Sequence, residues 1–114
     1  MKKILVLGAG TGGAVVSNLL RNRLNPREWS ISVIDRGSRH YYQPGLLFLP
    51  FGLHDYQTVD DISRPIRDPL STNIDFVNAT IQAIDHDHRQ VDTSAGRFDY
   101  DWLISAMGCR VAPE

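Results

Sequence analysis

The chain has 114 residues, enough for one domain with a core of its own. Its 12 Lys and Arg against 13 Asp and Glu give a net charge of −1, which offers no basic face to nucleic acid. A single cysteine, Cys109, excludes an intrachain disulfide.

The opening "MKKILVLGAGTGGAVVSNLL" has the basic start and apolar run of a secretory signal. Glycines at Gly8, Gly10, Gly12 and Gly13 argue against that, since each costs a helix about 1 kcal/mol relative to Ala. A strand, a turn and a helix account for them instead. Residues 2–7 are apolar on both faces, as in a strand buried between two layers. "GGAVVSNLLRNRL" places Val15, Val16, Leu19 and Leu20 on one helical face and Arg21 and Arg23 at the favourable C-terminal end. Pro26 stops the helix. "SISVID", 30–35, is a second strand ending in an acid.

"RHYYQPGLLFLPFG", 39–52, is apolar and punctuated by proline, without strand alternation. Pro44 can open a helix there, because the N–H it lacks would be orphaned anyway. Residues 55–73 read as loop and short helices, limited by Pro65 and Pro69. A short strand follows at 74–77, then an antiparallel meander over about 79–99 and a buried strand at 102–107. No run of ~18 apolar residues offers a transmembrane helix. The chain is therefore expected in the cytoplasm or at the cytoplasmic face of a membrane.

"GAGTGG" supplies G-x-G-x-x-G at Gly8, Gly10 and Gly13, with Thr11 and Gly12 inside the loop. Gly8 allows the turn out of the strand, Gly10 leaves room for a pyrophosphate, and Gly13 lets the helix pack close. The helix N terminus then presents free N–H groups to the phosphates. Asp35 follows Gly13 by 22 residues and ends the second strand, where an acid accepts both ribose hydroxyls. Its charge disfavours a 2′-phosphate. The neighbouring Arg36 is a further cofactor candidate, although a solvated side chain would look the same.

Two more motifs carry a resemblance. "YDWLISAMG", 100–108, resembles the closing strand of the two-dinucleotide-binding-domain flavoproteins, the glutathione-reductase-like superfamily. "HYYQPGLLFLPFG" resembles the segment after the ribose acid in sulfide:quinone oxidoreductases and, less closely, in type II NADH dehydrogenases. The resemblance runs from "KILVLGAGTGG" to "GCRVAPE". It implies an FAD-dependent oxidoreductase passing electrons from sulfide through FAD to a quinone. Gly8, Gly10 and Gly13 would face the pyrophosphate and Asp35 the adenosine ribose. Backbone near Thr80 and Ile81 would lie by the adenine, and Ala106 to Gly108 near the phosphates. Met107 stands where the family has Thr and is not counted as a site residue.

The implied fold is α/β: a Rossmann-like parallel sheet of order 3-2-1 with the closing strand beside strand 1, a packing helix and an antiparallel meander as crossover. Residues 1–114 would be an N-terminal FAD/NAD(P)-binding domain, a fragment of a longer flavoprotein. The cysteines, the quinone pocket and any peripheral membrane contact would lie elsewhere. Such a fragment is expected to be inactive, to hold FAD weakly or not at all, and to self-associate through Leu46, Leu47, Phe48, Leu49 and Phe51. An NADH:quinone oxidoreductase, and a non-catalytic NAD- or adenine-nucleotide-binding module, are the alternatives.

No catalytic residue and no metal are assigned. "DHDH", 85–88, offers metal-ligand types at a hairpin tip, but a closed site needs three or four fixed ligands. His40 is read as a structural hydrogen-bonding residue rather than a proton relay. Cys109 is read as a small residue after a buried strand.

Overall fold

A computed structural model describes residues 1–41, 49–52 and 58–108. Strand β1 (Lys2–Leu7) leads into helix α1 (Thr11–Arg23) and strand β2 (Trp29–Asp35). Short strands β3 (Arg39–Tyr41) and β4 (Ser63–Pro65) flank single 3₁₀ turns at Leu49–Phe51 and Val59–Ile62. Then come β5 (Asp75–Asn78), β6 (Ile81–Asp85), β7 (Gln90–Thr93), β8 (Gly96–Asp99) and β9 (Trp102–Ser105). The fold is Rossmann-like α/β.

The central sheet is parallel throughout, in the order β5-β2-β1-β9. It matches the expected 3-2-1 order with the closing strand beside strand 1. The pleat of β1 divides its apolar run between two layers. Ile4 and Val6 join Ala14, Ile31, Val33, Ile66, Leu70 and Ile74 on the helix side. Leu5 and Leu7 join Ile34, Ala79, Val91 and Tyr100 on the side of the meander. Burial on both faces is why the sequence shows a continuous apolar run there rather than alternation. The meander itself is the antiparallel sheet β6-β7-β8.

Helix α1 corrects the expected face. Its buried residues are Gly13, Ala14, Ser17 and Arg21. Val15 and Leu19 point away, 53% and 51% exposed, while Val16 and Leu20 pack at the margin of the core. The cause is close approach: a Cβ on Gly13 would overlap the Gly8 carbonyl oxygen. The helix start lies so near the turn that only small residues, Gly13, Ala14 and Ser17, occupy the inner face there, and the long Arg21 is buried only in the last turn. Two further boundaries move: β5 starts at Asp75, and β9 ends at Ser105.

The pairing of β3 with β4 corrects the reading of 55–73 as loop and short helices. Arg39 pairs with Pro65, His40 with Arg64 and Tyr41 with Ser63. Arg39 fixes the pair by donating from Nε and Nη2 to Ser63 Oγ at 3.1 and 2.8 Å. Pro44, Leu46, Leu47 and Phe48 lie outside the described residues. So do Cys109 and the tail beyond it. Phe51 is 76% exposed.

Arg21 is the buried polar anchor. Its guanidinium donates to the carbonyls of Trp29 at 3.1 Å, Leu24 at 3.3 Å and Asn73 at 3.5 Å. It thereby ties the end of α1 to the start of β2 and to the approach to β5. Asn18 adds a second tie, donating to the Pro69 carbonyl and accepting from the Ser71 N–H. Removing Arg21 strands three carbonyls. Arg21→Ala is expected to lower stability by roughly 1.5–3 kcal/mol, the range for bonds to a charged group. Urea unfolding should show a lower midpoint at constant slope, and an unmoved midpoint would contradict the anchor role.

Candidate nucleotide-binding site

The site is built where the chain order of the sheet reverses. From β1 the chain runs outward to β2 and β5, then returns to place β9 on the other side of β1. In open α/β sheets, ligands lodge at the carboxyl ends of the strands beside such a reversal. The residues at that end here are the turn Gly8–Gly10, Asp35, Ala79–Ile81 and Ala106–Gly108.

Gly8 takes φ +101°, in the left-handed region, and a Cβ there would overlap the Ala106 carbonyl oxygen. The turn therefore leaves β1 directly against the end of β9, whose Ala106 N–H donates to the Leu7 carbonyl at 2.7 Å. Gly13 is likewise demanded by packing. Gly10 is different: nothing lies within 4 Å of where its Cβ would be. Gly12 would meet only the Ala106 Cβ, at an ordinary 3.9 Å. Gly10, Thr11 and Gly12 are exposed. No side chain caps α1 at Gly10, and its first turn holds no acid. Its leading N–H groups carry no intrahelical partner and face an uncluttered surface.

A pocket of about 210 Å³ adjoins this turn, lined by Gly8, Ile34, Asp35, Arg36, Ala79, Thr80, Ile81 and Met107. It is smaller than the roughly 300–1,000 Å³ of pockets for drug-sized ligands, so it suits one end of a dinucleotide. The structure thus brings Gly8, Asp35, Arg36, Thr80 and Ile81 to one cavity. Gly10 to Gly13 form the start of α1, and Ala106 and Gly108 flank Met107. Pro44 lies outside the described residues.

The Asp35 carboxylate already accepts two backbone bonds. Oδ2 takes the Ala9 N–H at 2.7 Å, and Oδ1 takes the Gly37 N–H at 2.6 Å. An ionised carboxylate has about four acceptor directions, so two remain for a ligand's hydroxyls. Thr80 is committed in another way. Its N–H donates to Ser94 Oγ, and its carbonyl accepts from the Ser94 N–H, both at 2.9 Å. Both main-chain polar groups of Thr80 are therefore already paired within the chain. A register shift between Ile81 and Ala83 sits beside it, a bulge of the kind that re-aims side chains at sites.

Three lining residues escape sequence reasoning. Ile34 and Ala79 look like plain core. Met107, 53% exposed, occupies a position where the absence of a hydroxyl suggests no polar contact, yet its thioether side chain forms a wall. Its place directly after β9, beside the glycine turn, is the signal that finds it. His40 donates from Nδ1 to the Ala9 carbonyl at 3.3 Å, the structural bond expected of it. In the "DHDH" hairpin, His88 Nδ1 meets Asp85 Oδ2 at 2.7 Å. That bond, with the His88 N–H, holds the Asp85 carboxyl below the usual carboxylate value. Among the described residues, no group of three or more His, Cys, Asp or Glu could hold a metal.

No family model matches the chain. It is 32% identical over 108 residues to the type II NADH:quinone oxidoreductase of Staphylococcus aureus, covering 94% of this chain and 26% of that protein. It superposes on the sulfide:quinone oxidoreductase of Aquifex aeolicus with a TM-score of 0.77 and 27% identity, covering 98% of this chain and 25% of that one. The NADH:rubredoxin oxidoreductase of Clostridium acetobutylicum follows the same fold, with a TM-score of 0.67, 26% identity, and 98% and 29% coverage. The chain is similar to the N-terminal part of quinone oxidoreductases. It spans about a quarter of the length of the relatives it matches. The resemblance carried by "GAGTGG", "HYYQPGLLFLPFG" and "YDWLISAMG" agrees with this quinone-oxidoreductase-like match.

The two kinds of glycine can be told apart by substitution. Gly8→Ala forces a clash and an unfavourable φ, so it should destabilise the fold by more than the ~1 kcal/mol typical of point mutations. Gly10→Ala should leave thermal unfolding nearly unchanged and weaken binding of adenine dinucleotides. Equal effects of both on stability would remove the distinction.

Proposed function

We propose that this chain is the adenosine- and pyrophosphate-binding part of an FAD-dependent oxidoreductase that transfers electrons from sulfide to a quinone. The observation that carries the reading is one meeting place. The uncapped start of α1, the Asp35 carboxylate and the pocket walled by Ile34, Arg36, Ala79, Thr80, Ile81 and Met107 adjoin at the carboxyl end of one parallel sheet. In this reading the first-turn N–H groups of Thr11, Gly12 and Gly13 receive the pyrophosphate. Asp35 receives the ribose hydroxyls through its two remaining acceptor directions. Ile34, Ala79, Ile81 and Met107 cover the adenine, and Ala106 and Gly108 border the phosphates. Gly10 fits the group, because the space left by its missing side chain is open. Pro44 belongs to the same proposal as a residue on the way to the flavin end.

Bound FAD supplies the two-electron chemistry; the chain binds and orients its adenosine half. Residues 1–114 would form one N-terminal dinucleotide-binding domain. Among the described residues no helix is long and apolar enough to cross a membrane. A location at the cytoplasmic face, peripheral contact with the bilayer, and self-association through the 46–51 segment, of which Phe51 is exposed, complete the proposal. The 32% identity to an NADH:quinone oxidoreductase supports a second reading, in which NADH is the donor.

The adenosine assignment is tested by calorimetry. Asp35→Ala should weaken FAD binding by roughly 1.5–3 kcal/mol, about ten- to a hundred-fold, as for hydrogen bonds to a charged group. FMN, which lacks the adenosine ribose, should show no such dependence. Unchanged FAD affinity in the variant would sink the assignment. The donor is read by quinone reduction in the native protein that carries these residues. Turnover with sulfide and not NADH is expected; the reverse selects the second reading.

A further inference from the structure

The residue between Gly8 and Gly10 is fully buried, although both neighbours are glycines. Glycine leaves the backbone its widest freedom, so a Gly-Ala-Gly turn has little local reason to hold one shape. Both polar groups of Ala9 are nonetheless taken. Its N–H donates to Asp35 Oδ2 at 2.7 Å, and its carbonyl accepts from His40 Nδ1 at 3.3 Å. The two partners come from different elements, the end of β2 and the middle of β3. His40 is in turn held by the pairing of β3 with β4, where it sits opposite Arg64, and by the bonds from Arg39 to Ser63 Oγ.

We propose that His40 is a positioning residue for the phosphate loop. With its hydrogen on Nδ1, it fixes the Ala9 carbonyl while Asp35 fixes the Ala9 N–H. Together they hold the two peptide groups that flank Ala9 in the orientation that leaves the start of α1 open to a dinucleotide pyrophosphate. The energetic gain is preorganisation, since the loop does not have to be ordered when the ligand arrives. This gives strand β3 a role at the adenosine end of the site. The inference rests on the dinucleotide reading above for its ligand, but not for the loop contact itself.

The test therefore begins without any nucleotide. In the uncharged ring, nitrogen NMR should place the hydrogen of His40 on Nδ1. In His40→Ala, amide exchange at Ala9 should rise about five- to ten-fold relative to the amides of β1, the loss of one net hydrogen bond. His40→Asn, whose side-chain amide can donate from a similar place, should restore most of that protection. FAD affinity should fall about five- to ten-fold in His40→Ala and recover in His40→Asn. A hydrogen on Nε2 overturns the proposal. So does unchanged exchange at Ala9 in His40→Ala, or a loss of protection in both variants that spreads equally through β1. If the native protein that carries these residues binds no FAD while the tautomer and exchange behave as expected, the cofactor reading fails and the loop contact stands.

Discussion

The hydrogen bonds of Asp35 are the constraint on which the site end of this fold depends. Its carboxylate takes the N–H groups of Ala9 and Gly37, and its main-chain carbonyl takes the Ala79 N–H and the Asn78 side-chain amide, both at 3.1 Å. One residue thus joins the glycine turn after β1, the exit of β2 and the end of β5. Asn78 also donates to the Gly37 carbonyl at 2.8 Å, which closes the turn after Asp35. Bonds to an ionised acceptor are stronger than neutral ones. The acid proposed to read a ribose is therefore rigid before any ligand arrives, and the same charge that would meet the ligand shapes the pocket around it.

Much of this was legible in residue order. The apolar run of 2–7, the spaced glycines and the terminal acid of the second strand define β1, α1 and β2, because each follows from local sterics or from burial on two faces. The helix face was not legible from apolar periodicity. Hydrophobic spacing selects Val15 and Leu19, but the contact of Gly13 with the Gly8 carbonyl brings the helix too close for large side chains. Small residues win the inner face of its first turns by geometry rather than by hydrophobicity. The β3–β4 pair was hidden for another reason. Three-residue strands carry almost no periodic signal, and one of them ends in Pro65, which reads as a breaker although an edge position tolerates it. Within the site, the glycines and Asp35 announce themselves by type and spacing. Ile34, Ala79 and Met107 line the pocket as ordinary apolar residues, so only the folded chain separates them from core.

The comparisons pull in two directions, and the division of labour in the chain explains why. Relatives by sequence include NADH:quinone oxidoreductases, and the sulfide:quinone oxidoreductase superposes with a TM-score of 0.77. In the proposed reading the glycine turn, Asp35 and the 210 Å³ pocket would all serve the adenosine half of a dinucleotide. That half is chemically the same whatever molecule delivers electrons to the flavin.

The four glycines of the turn divide along the same line. Gly8 and Gly13 are required by the protein, since a methyl group on either would overlap a main-chain carbonyl. Gly12 is not, and inside a helix glycine costs about 1 kcal/mol relative to alanine. The first turn of α1 also lacks an acid, which would stabilise the helix dipole by roughly 0.3–1 kcal/mol. A sequence shaped for stability alone would fill both vacancies. An acid there would repel a phosphate, and a side chain at Gly10 or Gly12 would stand in its path. The stability left unclaimed at these positions is thus of the kind that an anion, bound to the open N–H groups, would restore.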